Sequence, residues 1–152
     1  MRATVRAVVL ILVCLVVAAP ASAREITRYH GRTSASTWAS VRMWVQGPRD
    51  GDRFIRYMRM KLTTTCEDLT SESFVVDFRT VRMGADGVFS IERLHPRNYF
   101  RMDGVLRWGK GSGTVVNTTT RPTADGQDTQ TCTTGDLTWA VHRVIKSSSA
   151  RK

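Results

Sequence analysis

Cysteine and histidine are scarce in these 152 residues, with three of each, and the shortage removes whole classes of chemistry. Cys14 lies in the apolar N-terminal run, so only Cys66 and Cys132 remain for a folded domain. Two thiols with no histidine near either in sequence are too few for a structural zinc site. No phosphate-binding loop, nucleotide fingerprint or metal-ligand cluster occurs, so neither a cofactor nor a bound metal is expected. Gly-x-Ser-x-Gly is missing as well; His142, Asp136 and a hydroxyl can be drawn as a triad, but no nucleophile motif selects them. No catalytic residue is assigned. Lysine is the other shortage: Lys61, Lys110, Lys146 and Lys152 stand against nineteen arginines, a bias that a GC-rich genome produces unaided. Helical periodicity over three turns is absent from the chain beyond its N-terminal run.

That run, Ala7 to Ala19, is too short to span a bilayer comfortably. Arg2 and Arg6 precede it and Pro20-Ala21-Ser22-Ala23 ends in a small-x-small pattern, which reads as a secretory signal peptide over residues 1–23 cut after Ala23. Ile11, Leu12 and Val13 ahead of Cys14 do not form a lipoprotein site, which needs a small residue there. Removal of the leader leaves 129 residues, one domain, with no transmembrane segment and an extracytoplasmic destination. Cys66 and Cys132, an even number in an exported chain, are expected to form one disulfide. The chain has 23 Lys+Arg against 13 Asp+Glu; without Arg2 and Arg6 it keeps 21 against 13, a net +8. Such a surface attracts anionic envelope polymers such as teichoic acid or acidic polysaccharide. The basic residues are scattered through nearly every segment, a pattern that specifies no nucleic-acid site.

The remaining sequence alternates at period two between turn residues, the pattern of an all-β, single-domain antiparallel sandwich or small barrel of about eight strands over 24–145. The first strand, from Arg24 to Gly31, is expected to make its apolar contact through Ile26, and the second covers Val41 to Val45. From Arg53 to Thr64, Phe54, Met58, Met60 and Leu62 face the core and Ile55, Tyr57, Arg59 and Lys61 face out, with Arg56 interrupting. One run over 73–83 leads through the Gly84-Ala85-Asp86-Gly87 turn into Val88 to Glu92. Phe100, Met102, Leu106 and Trp108 share a face on which Gly104 marks a bulge or a close backbone approach. Residues 109–113 read as a glycine-rich turn before the β-branched run 114–120, and Pro122 to Gln130 reads as a loop. The closing strand turns Leu137, Trp139 and Val141 inward and Thr138 and His142 outward, Val144 and Ile145 extend it, and 146–152 form a disordered tail.

Several short patterns occur together: Gly31-x-Thr33-Ser34, Asp86-Gly87-x-Phe89, Gly104 followed by Gly113-Thr114-Val115, and Cys132-x-Thr134-Gly135 ahead of Trp139-Ala140 and Arg143. In this the chain resembles a group of small secreted β proteins of actinobacteria. The resemblance implies export and a β fold and carries over no activity and no functional residue. A lipocalin would show Gly-x-Trp where Ser36-Thr37-Trp38 stands.

The candidate binding residues are Tyr57, Arg59 and Lys61, which share the outward side of one strand and combine stacking with positive charge. Trp44, Trp108 and Trp139 are assigned to the core. Asp77, Glu92 and Asp103 are the only acids placed for hydrolytic work, and neighbouring arginines account for them equally well. The expected function is non-catalytic binding of an extracellular ligand or protein partner. The alternatives are retention in the envelope by anionic polymers and a small secreted hydrolase.

Overall fold

The computed structural model describes residues 26–36, 40–48, 52–107 and 109–145. The expected leader and its cut site, Trp108 and the expected tail over 146–152 lie outside the described residues. Ten strands follow one another: β1 (Ile26–Thr33), β2 (Val41–Gln46), β3 (Arg53–Cys66), β4 (Ser71–Phe78), β5 (Val81–Met83), β6 (Val88–His95), β7 (Asn98–Arg107), β8 (Lys110–Pro122), β9 (Thr129–Thr133) and β10 (Leu137–Arg143). The count exceeds the expected eight for local reasons. The run over 73–83 breaks where Thr80 takes a φ of 58°, giving β4 and β5, and Cys132 occupies a short strand of its own.

Strands β10, β1, β2, β3, β9 and β8 pair in that order, and a β10–β8 ladder closes them into a six-stranded barrel. Closure decides between the two architectures the alternation allows. The long strands make it possible. Along one edge, β8 takes β10 against residues 110–115 and β9 against residues 118–122, while β7 runs along its other edge and carries β6. In the same way β3 takes β2 and then β9 on one edge, and β5 and β4 on the other. The β3–β9 ladder is only two pairs long, Thr65↔Thr133 and Cys66↔Cys132, and the Cys66–Cys132 disulfide lies in it.

One apolar cluster fills the interior. It is rich in methionine, with Met43, Met58, Met60, Met83 and Met102 fully buried around Ile55, Leu106 and Trp139. Unbranched thioethers adapt to the irregular gaps left where strands fork. The inward row Thr33, Trp139, Gly113, Gly104, Phe89 crosses five strands, so the indole spans two glycines and reaches Phe89 at 5.8 Å between ring centres. Its Nε1 donates to the Asp103 carbonyl at 3.3 Å. Gly104 is thus the close approach that its place in the pattern implies.

Four expectations are corrected. A bulge opposite Trp44 and Val45 skips Arg56 and shifts the phase of β3, so Ile55 is buried and Phe54 only half-buried. Ile26 is 52% exposed; the inward phase of β1 falls on Tyr29, Gly31 and Thr33. The glycine-rich stretch from Lys110 is not a turn but the start of β8, where Gly111 makes room for Leu106 and Val141 and Gly113 for the backbone of β7 at Asp103 and Gly104. Val144 and Ile145 lie beyond β10 and are exposed.

Asn117 sits where β8 passes from β10 to β9. Its backbone N–H donates to Thr134 Oγ1 at 2.9 Å, yet both side-chain amide atoms are buried without a partner among the described residues. The Asn117-Thr118-Thr119 sequon is therefore closed to glycosylation in the folded protein, since Asn117 has no exposed surface. Asn117→Leu, which keeps the branched shape and removes both polar atoms, is expected to raise stability by about 1–2 kcal/mol in urea unfolding.

Candidate functional site

Residues paired across an antiparallel ladder share a face, so the register defines the outer surface of the barrel. Arg28, Trp44 and Tyr57 form one outward row across β1, β2 and β3. His142, His30, Arg42, Arg59 and Asp77 form the next row, from β10 to β4. Lys61 follows Arg59 on β3, and Arg32 follows His30 on β1. Asp77 is the only carboxylate at the outward positions of β1, β2, β3 and β4.

The candidate residues Tyr57, Arg59 and Lys61 thus share the outward side of β3 beyond the bulge, with Ile55 now facing in. Trp44 joins them, a correction to its expected core position. It is 40% exposed, because the alternation that buries Met43 and Val45 must turn the residue between them outward. Its ring centre lies 5.0 Å from that of Tyr57, at a 49° tilt. The Arg28 guanidinium stands 5.5 Å from the Trp44 ring centre and the Arg59 guanidinium 5.8 Å from that of Tyr57. Two aromatic faces are thereby flanked by two cations, a geometry in which cation–π attraction and packing order side chains that would otherwise be mobile.

One acid tunes the patch. Arg59 Nε and Nη2 donate to the two Asp77 carboxylate oxygens at 2.8 and 2.9 Å, and Tyr57 Oη donates to Oδ1 at 3.3 Å. The Arg59 hydrogen bond is the main force holding the Asp77 carboxyl below the usual carboxylate range, and the same contact pushes the Arg59 guanidinium further up. Exposed pairs of this kind add little to stability. Their effect here is on position: the guanidinium is fixed beside the Tyr57 ring with its charge partly matched.

The other acids considered for catalysis lie elsewhere. Asp103 accepts from Ser90 Oγ at 2.6 Å and from Arg101 Nε at 2.8 Å, and these bonds, the serine's first, hold its carboxyl low. Glu92 is exposed opposite Arg101 on β6 and β7. A general acid at neutral pH needs a shift in the upward direction, and Asp77 and Asp103 both move downward. His142 and Asp136 fall outside any triad geometry: Asp136 is in the turn before β10, while His142 is near the far end of that strand beside His30 and Lys110. His95 closes the β6–β7 hairpin opposite Asn98. Among the described residues no three His, Cys, Asp or Glu side chains gather as metal ligands, and no helix is long and apolar enough to cross a membrane.

Legible beforehand were Tyr57, Arg59 and Lys61. Missed were Trp44, Arg28 and Arg42, which only the cross-strand register brings alongside. Compared with protein-family models, curated proteins and solved structures, the chain matches none.

Proposed function

We propose that this chain is an exported, non-catalytic binding module that docks an anionic polysaccharide of the cell envelope on the outer face of β1, β2, β3 and β4. The observation that carries the reading is the Trp44–Tyr57 pair flanked by Arg28 and Arg59. Sugar rings present C–H faces to aromatic rings, and carboxylates or phosphates along the polymer meet the surrounding arginines and Lys61. The disulfide, stable in oxidising compartments, the leader pattern and the resemblance to small secreted actinobacterial proteins all support a location outside the cytoplasmic membrane. The packed interior supports recognition at the surface rather than in a hollow core.

Titration calorimetry with polygalacturonate tests the reading against dextran, a neutral polymer. Binding to the acidic polymer is expected, weakening steeply between 50 and 300 mM salt, on the order of the Debye screening of exposed charge. Trp44→Ala is expected to cost about tenfold in affinity, the scale of one stacking and cation–π contact, with the unfolding midpoint little changed. Equal binding of dextran, or an unchanged affinity in Trp44→Ala, would overturn the assignment.

Asp77→Asn provides a test of opposite sign. Removing the one outward carboxylate frees the Arg59 guanidinium, so polygalacturonate should bind severalfold tighter at low salt, with the difference closing at high salt. The pH dependence follows from the depressed Asp77 carboxyl. Its pairing with Arg59 persists below the ordinary carboxylate range and is lost only as pH falls through the lowered value. Dextran sulfate, which stays ionised there, should therefore show a further gain in affinity for the wild type in strong acid that Asp77→Asn lacks.

A further inference from the structure

We infer that the end of the barrel where β10 finishes and β3 begins is a second binding site, for a small organic carboxylate with an apolar body. A pocket of about 730 Å³ opens there, within the roughly 300–1,000 Å³ of small-molecule sites. Its apolar lining includes Tyr29, Val45 and Leu106, all members of the buried cluster. Its basic lining comes from four separate elements or turns: Arg53 of β3, Arg107 of β7, Lys110 of β8 and Arg143 of β10. Asp86 is the one carboxylate among the described lining residues, and its Oδ1 already accepts the Val88 N–H at 3.0 Å.

Arg53 sets the ligand chemistry. Its Nη2 donates to the Leu106 carbonyl at 3.2 Å, while its Nε is buried and meets no acceptor among the described residues. Gly87 makes room for the guanidinium: a Cβ there would stand 2.8 Å from Arg53 Nη2 and 2.3 Å from the Leu106 oxygen. A guanidinium held by the Leu106 carbonyl at the edge of an apolar surface, with N–H groups left over, matches a carboxylate, whose charge meets the guanidinium while its hydrocarbon covers Tyr29, Val45 and Leu106. Inorganic anions leave that apolar surface bare, and neutral apolar molecules leave the N–H unanswered. The site is separate from the outer-face patch, since Trp44, Tyr57 and Arg59 do not line it.

Calorimetry of the oxidised protein with octanoate, octanamide and inorganic phosphate distinguishes these ligands. Expected is saturable one-to-one binding of octanoate, at least tenfold tighter than octanamide, with phosphate inert. Arg53→Met should erase the preference for the acid over the amide, and Lys110→Met, at the rim, should weaken octanoate only modestly. Trp44→Ala should leave octanoate binding unchanged, so failure of the polymer reading and failure of this one are separable. The test does not depend on Arg53→Met folding: the wild-type arginine Nε–H resonances provide a second readout, in which the one assigned to Arg53 should shift on adding octanoate and stay put with octanamide. Equal affinity for acid and amide, no saturable binding, or an unmoved Arg53 signal would overturn the inference.

Discussion

Cys66→Ala/Cys132→Ala should lose about 4 kcal/mol of stability, the loop-entropy value for a bridge 66 residues apart in sequence. For a β domain of this size that corresponds to an unfolding midpoint lower by roughly 15 °C. Topology adds to the loop term. Five of the six contacts around the barrel are ladders of five or six pairs, whereas β3 and β9 share two, and the cysteines are one of them. Without the covalent link this seam opens before the others. Amide exchange should therefore speed up first in β9 and at the end of β3, while β7 and β8, joined by ten pairs, stay protected. Thermal unfolding with and without reductant checks the magnitude, and exchange mass spectrometry checks the location. A reduced protein that unfolds at the same midpoint as the oxidised one would remove the disulfide from any structural role.

The pairing of those cysteines was legible because only two cysteines stand outside the N-terminal run, which leaves one connectivity. Strand positions were legible for a similar reason: alternation is local, and Val41, Met43 and Val45, or Trp139 and Val141, bury the residues that the period marks. What escaped depended on partners distant in sequence. Arg56 stands out within Arg53 to Thr64 as a break in the alternation, but only the pairing with β2 makes it a bulge, which shifts the phase and turns Ile55 inward. The stretch 109–113 resembles a turn by composition, yet Gly111 and Gly113 answer to neighbouring strands: a Cβ on Gly113 would meet the Asp103 and Gly104 backbone of β7, and one on Gly111 would meet Leu106 of β7 and Val141 of β10. Trp44 shows a different failure. Its neighbours announce its outward phase, but the general tendency of tryptophan to be buried outweighed the pattern. The outer face of β1 to β4 follows the same division: β3 by itself displays Tyr57, Arg59 and Lys61, and only the register adds Arg28, Arg42 and Trp44.

Substitution of the glycines under β10 should be the most damaging single change in the domain. At Gly31 an added Cβ would fall 1.9 Å from the Ala140 carbonyl oxygen and 2.6 Å from Val141 Cα, so it meets backbone that has no rotamer to change. The β1–β10 ladder, Tyr29↔Arg143 through Thr33↔Trp139, must separate to admit it. Gly31→Ala is therefore expected to cost about 3 kcal/mol or more, at the upper end of overpacking. At Gly104 the added atom would lie 2.1 Å from Trp139 Cζ2, against a rigid ring held by the bond from its Nε1 to Asp103. Gly104→Ala should cost about 2–3 kcal/mol for the same reason, and Gly104→Ala/Trp139→Phe should recover part of it by withdrawing the indole's outer ring. Gly126 is the control: nothing lies within 4 Å of its missing Cβ, and only its φ of +71° opposes a side chain. Gly126→Ala should cost about 1 kcal/mol, the conformational penalty alone. Urea unfolding of the three single variants measures the order. If Gly31→Ala fell no further than Gly126→Ala, the barrel would be able to widen between β1 and β10, and closure on a side chain as large as Trp139 would not depend on glycine beside that strand.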